Sequence, residues 1–238
     1  MNIQQSVALV TGASRGLGLE VARAYARPGA RLVIVARGRD ELENRARELR
    51  HETEVLALAA DVSDDAERIV EAAIGRFGRI DILVNNASEL GPSPMPALQD
   101  LAWQDLERVY RVNVLAPLHL TQLVLPGMRS RGCGLIINVS SDAGVEAYPG
   151  WGGYGSSKAA LEHLSRTLGA ELDGTGVRVC VVDPGDMHTE MHRLAEPGVD
   201  LSGLPGPDVA APAFVRLAEE NELQFKRIQA QQFALAGG

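Results

Sequence analysis

Tyr154 and Lys158 stand four residues apart in YGSSKAALEHLSRTL, a segment whose Leu161, Leu164, Leu168 and Leu172 recur at helical spacing. Two side chains so spaced share one face of a helix. A free phenol releases its proton only near a pH of about 10. An ammonium beside it favours the phenolate, which brings the tyrosine into range as an acid/base. The same spacing also occurs in ordinary surface pairs, so the pair alone decides nothing. Ser141 closes the run LIINVSS thirteen residues before Tyr154, and its hydroxyl could hold the oxygen that the tyrosine protonates. Asn113 lies among apolar neighbours in YRVNVLAP. A buried amide needs partners, and this one either anchors water next to the lysine or satisfies helix backbone.

A second set of residues suits a dinucleotide. In TGASRGLG, Gly12, Gly16 and Gly18 let the backbone turn tightly and approach a pyrophosphate at the N-terminus of the following helix. The spacing is not GxGxxG, and an ordinary glycine-rich turn would look similar. The end of the second strand carries Ala36 and Arg37 where an NAD site would place an acid for the adenosine ribose. Arg15 and Arg37 could reach one 2′-phosphate from two sides, because neighbouring strands are about 4.8 Å apart, and a guanidinium fork suits a phosphate. The alternative is a pair of solvated arginines; the missing acid favours NADP(H) over NAD.

The elements that would position these groups alternate along the chain. The runs SVALVT, RLVIVA, EVLALAA, IDILVN, LIINVS and VRVCVVD are each followed by a helical pattern, which implies βαβ units and a parallel sheet covered on both faces. The expected fold is α/β, a single-domain, Rossmann-type doubly wound sheet over 1–238 in strand order 3-2-1-4-5-6, with a weak seventh strand near RIQAQQF. Ser63 is the expected N-cap of the third helix and Gly78 its end; the first helix stops at Pro28 and Gly29. A long helical stretch over 98–131 bridges the fourth and fifth strands, with a bend or joint at Pro117. In such a sheet the C-terminal strand ends share one rim. Thr11, Gly12, Ala36, Arg37, Asp61, Asn85, Asn86, Ser140, Ser141, Asp183, Pro184 and Gly185 all fall there.

Composition narrows the function classes. Of the 238 residues 45% are hydrophobic, enough for one large core. The net charge of −8, without basic runs, disfavours nucleic acid and anionic membrane as partners. No apolar run approaches the roughly 20 residues needed to cross a bilayer, and the first strand begins by Ser6, so a cytoplasmic location is expected. Of two cysteines, Cys180 sits in VRVCVV as a small buried hydrophobe. His188 and His192 are four apart, but HTEMH is not HExxH and no third ligand is evident, so no metal is expected.

Taken together, TGASRGLG, Asp61, NNAS, Asn113, Ser141, YGSSK and DPGDMHTEM resemble the short-chain dehydrogenase/reductase family over nearly the whole chain. The resemblance implies a catalytic tetrad of Asn113, Ser141, Tyr154 and Lys158, in which Tyr154 protonates a carbonyl oxygen oriented by Ser141 while a nicotinamide delivers hydride. Lys158 would also bind the nicotinamide ribose, with a water held near Asn113 linking it to solvent. It implies cofactor contacts by Gly12, Ser14, Arg15, Gly16, Leu17 and Gly18, by Arg37, by Asp61 and Val62 around the adenine, by Asn85 and Ala87, by Tyr154 and Lys158, and by Pro184, Gly185 and Thr189 beside the nicotinamide. Ser88 departs from the glycine usual in that motif, and the tail RIQAQQFALAGG keeps a glycine pair but weakens the last strand.

The reaction so implied is NADPH-dependent reduction of a ketone or aldehyde. Two alternatives stay open: an NAD-linked alcohol dehydrogenase, and a nucleotide-sensing regulator or scaffold without catalysis, which would be expected to lose members of the tetrad. Substrate selection is expected from a loop over about 186–206 and from Tyr148 and Trp151, with Met187, Met191 and Leu194 as an apolar lid for an apolar or aromatic substrate. Similarity to the family also implies a homodimer or homotetramer.

Overall fold

The computed structural model describes residues 1–220 and 225–235. Seven parallel strands form one sheet in the order β3-β2-β1-β4-β5-β6-β7. They are β1 (Val7–Thr11), β2 (Arg31–Ala36), β3 (Val55–Ala59), β4 (Ile82–Asn85), β5 (Gly134–Val139), β6 (Val177–Asp183) and β7 (Lys226–Gln229). The expected order holds, and the weak seventh strand is real but short. After Gln229 the chain turns helical through Ala230–Leu235, and the glycine pair lies outside the described residues.

Successive strand residues face opposite sides of a sheet. Ala8 and Val10 therefore pack beneath α1 (Gly16–Ala26), α2 (Arg39–Leu49) and the helix Ala211–Glu219. Val7 and Leu9 pack on the other side beneath α3 (Ala66–Phe77), α5 (Ala116–Arg131) and α6 (Gly152–Glu171). With both faces covered, the inner strands read as unbroken apolar runs.

Two boundaries differ from the sequence expectation. The third helix starts at Ala66 behind Asp65, not behind Ser63. Asp65 turns its carboxylate back to accept the Asp61 amide at 2.9 Å, and Ser63 sits inside that turn with its Oγ buried and unpartnered. Gly78 ends the helix with φ of 77°, donating to Ile74 O at 2.7 Å. The stretch expected over 98–131 begins as a helix only at α4 (Trp103–Tyr110) and widens into a π turn over Arg111–Leu115 before α5. Pro117 is the reason the joint falls there: it has no N–H to return to the carbonyl four residues back, that of Asn113.

Candidate active site

The C-terminal strand ends open into a cavity of about 810 Å³. At one end it is lined by Gly12, Ser14, Arg15, Gly16, Leu17, Arg37, Asp61 and Val62, and at the other by Ser141, Tyr154, Lys158, Pro184, Gly185 and Thr189, with Ala87 on the wall as well. Gly18 and Asn85, also expected at the cofactor, do not line it. Gly18 lies beneath the turn, where a Cβ would come 2.4 Å from Gly12 O and 2.5 Å from Asn86 Nδ2. Asn85 directs its amide sideways along the sheet to Asn138 Oδ1 at 2.8 Å.

The rim task expected of Asn85 falls to its neighbour. Asn86 lines the cavity and donates from Nδ2 to Thr11 O at 2.8 Å and Gly12 O at 3.3 Å. Thr11 Oγ1 accepts the amides of Asn86 and Ala87, each at 3.0 Å. These bonds lace the ends of β1 and β4 together and fix the glycine turn. Strand periodicity is the signal that separates the two asparagines, since adjacent residues point opposite ways.

The nucleotide end fits a dinucleotide. Gly12 has φ of 66°, where a side chain would be strained, and its Cβ would meet Ala87 backbone at 2.9 Å. No side chain caps the first turn of α1, so its free amides remain to meet an anion. Arg15 and Arg37 are exposed on either side of that turn, and among the described residues neither is engaged in an ion pair.

At the chemical end, α6 carries Tyr154 and Lys158 into the cavity together, with Lys158 Nζ 5.4 Å from the phenol ring centre. Nζ donates to Val139 O at 2.9 Å and is 2% exposed. Burial pushes its ammonium down to about 8. The phenol is also buried, and burial raises its pKa well above the usual value; the Ser88 and Ser141 hydroxyls beside it act in the opposite sense, while the Asp142 and Asp183 carboxylates add to the rise. The expected lowering by lysine is thus overridden, because desolvation of a phenolate outweighs a lysine that is itself poorly solvated.

Asn113 is wholly buried in the π turn. Its Oδ1 accepts from Ser88 Oγ at 3.0 Å and Glu89 N at 2.7 Å, and its Nδ2 donates to Glu89 O at 2.8 Å and Ser157 Oγ at 2.9 Å. With both donors and both acceptors engaged, the side chain pins the loop after β4 to α6. Ser88 takes the place of the usual glycine without strain, since no non-glycine described residue has a positive φ. Its hydroxyl joins Asn113 to the surroundings of the phenol, a contact that sequence reasoning missed.

Trp151, Met187, Met191 and Leu194 form the apolar wall above the tyrosine. Trp151 packs edge-on against Tyr154 at 6.0 Å and Tyr148 at 6.1 Å. His192 pairs with Glu196 at 3.2 Å, and among the described residues no three metal-ligating side chains come together. No described helix is long and apolar enough to cross a membrane.

Residues 6–199 match the short chain dehydrogenase family model. The chain belongs to the short-chain dehydrogenase/reductase family, and so to the oxidoreductases that use a nicotinamide cofactor. A short chain dehydrogenase of Pseudocercospora fijiensis is 38% identical over 195 residues, 79% of this chain and 62% of that protein, so the chain spans less than two thirds of that relative. A metagenomic short-chain oxidoreductase solved in complex with NADP is 30% identical with a TM-score of 0.82, covering 97% of this chain and 98% of that one. The 3-ketoacyl-(acyl-carrier-protein) reductase of Brucella melitensis, solved with NADH, is 28% identical with a TM-score of 0.85, covering 98% and 99%.

Proposed function

We propose that the protein is an NADPH-dependent carbonyl reductase acting on neutral ketones or aldehydes with an apolar or aromatic body. The observation that carries this reading is one continuous cavity with Ser141, Tyr154 and Lys158 at one end and, at the other, two arginines that form no ion pair among the described residues. A bound nicotinamide would supply the hydride. The chain's own residues do the rest. Ser141 orients the carbonyl oxygen, and Tyr154 Oη gives it a proton as negative charge develops there. Lys158, beneath the ring, stabilises the phenolate left behind. A phenol whose pKa is raised stays protonated through the neutral range, which suits reduction better than oxidation.

The test is purified protein with NADPH or NADH and a panel of carbonyl compounds, followed at the nicotinamide absorbance band. Reduction with NADPH preferred supports the reading; equal use of NADH overturns the cofactor assignment, and no turnover overturns the reaction. Arg37→Asp should raise the NADPH dissociation constant by about tenfold or more, the scale of one charge-assisted hydrogen bond, and change NADH binding far less. That variant leaves Arg15 on the cavity wall. The loss should shrink in high salt, because both arginines are exposed.

The homo-oligomer is proposed on the same footing. Leu98, Trp103 and Leu115 are 66%, 68% and 55% exposed along the segment that contains α4 and the π turn. A second copy packed on this segment would cover these side chains. Light scattering should give a mass of two or four times 25.4 kDa, and a monomer would exclude the pairing.

A further inference from the structure

Ser141 does not meet the cavity as a free hydroxyl. Its Oγ donates to Asp142 Oδ1 at 2.8 Å, and that oxygen also accepts the Ala143 amide at 2.8 Å. Asp142 Oδ2 accepts from the Tyr148 hydroxyl at 2.9 Å. The carboxylate lines the cavity with Tyr154 and Trp151, and among the described residues no basic side chain pairs with it. A carboxylate without a basic partner among the described residues therefore stands on the cavity wall beside Ser141, the residue that would hold the reacting carbonyl.

Two consequences follow from the inventory of donors. Ser141 has one proton, so holding a carbonyl oxygen means turning away from Asp142 and leaving Oδ1 short of a donor in a partly buried wall. A substrate with its own donor on the carbon next to the carbonyl can refill that place, whereas a plain ketone cannot. A substrate with an anionic group there meets the carboxylate at short range in a site of reduced dielectric.

We infer that Asp142 determines specificity: it selects carbonyl compounds bearing a hydrogen-bond donor on the adjacent carbon and rejects those bearing a carboxylate there. This rests on the carbonyl reductase reading and names its substrate class. The donor would face Asp142 while the apolar remainder lies against Trp151 and Met191.

The experiment compares kcat/KM for 2-hydroxyacetophenone, acetophenone and benzoylformate, with NADPH, in the wild type, Asp142→Ala and Asp142→Asn. The hydroxyketone is the more reactive compound in itself, so the readout is the change in ratio between proteins. In Asp142→Ala the ratio of hydroxyketone to plain ketone should fall about tenfold, the scale of a hydrogen bond to a charged group. Acetophenone itself should gain, because Ser141 is released. Asp142→Asn keeps an acceptor for Ser141 but removes the charge, so benzoylformate should gain about tenfold relative to acetophenone. Ratios that stay fixed while all three rates fall together mean that Asp142 only shapes the loop, and overturn the inference while leaving the reductase reading intact. Wild type that reduces benzoylformate as readily as the hydroxyketone overturns it too. Absence of turnover with every carbonyl overturns the reductase reading, and the inference with it.

Discussion

Tyr154→Phe should lower kcat for carbonyl reduction by about a thousandfold, within the range of one positioned acid/base group, while the protein folds and binds cofactor. The ring is 8% exposed and keeps its edge-on contact with Trp151. Only the hydroxyl leaves, and cofactor affinity should change by no more than about tenfold, the worth of one neutral hydrogen bond. Direction sharpens the test. Because burial raises the phenol pKa, the acid is already protonated at neutral pH, and the wild-type reductive rate should not climb between pH 6 and 8. Alcohol oxidation needs the phenolate and should climb with pH over the same interval. Steady-state profiles in both directions check this. An oxidative rate that climbs equally in Tyr154→Phe would mean that another group moves the proton.

The parts of the site legible in the sequence were those whose position follows from chain periodicity. Six apolar runs alternating with helices placed the strand ends on one rim, and the helical spacing of Tyr154 and Lys158 put both on one face. What the alternation of apolar runs does not display is a side chain's long-range partner or its solvation. Asn85 and Asn86 are adjacent at the end of β4, and only the pleat separates the one bonded to Asn138 from the one that laces β1 to β4. Asn113 was identifiable as a buried amide, yet its partners are backbone atoms of Glu89 and two serines 25 and 44 residues away, which no local pattern announces. Ser63 has the right residue type for a cap, but Asp65 closes the turn onto the Asp61 amide and the helix starts behind it. The electrostatics of the phenol failed for a related reason. The sequence displays a nearby charge, but burial decides the sign, and burial is a property of the assembled helix and sheet.

Lys158→Met should slow reduction and stabilise the protein, two effects of opposite benefit from one buried charge. The lysine is 2% exposed, and its ammonium is pushed from 10.5 down to about 8. A native pKa below the unfolded one means that the folded chain binds the proton more weakly. The shift costs about 3 kcal/mol wherever the lysine is charged in both states. That cost is full below about pH 8, shrinks as pH rises toward 10.5, and is gone above it. Methionine removes the charge at similar volume, at the expense of the bond to Val139 O, worth about 1 kcal/mol. The net gain at pH 7 should then be about 2 kcal/mol, which for a chain of this size raises Tm by about 4 to 8 °C. Thermal unfolding of wild type and variant at pH 7 and pH 10 separates this from a packing effect, because a gain from better packing would persist at high pH whereas relief of a buried charge would not. Activity should fall by at least about a hundredfold, since the phenolate loses the cation beneath its ring. A residue kept at that cost in stability is one whose charge the reaction needs.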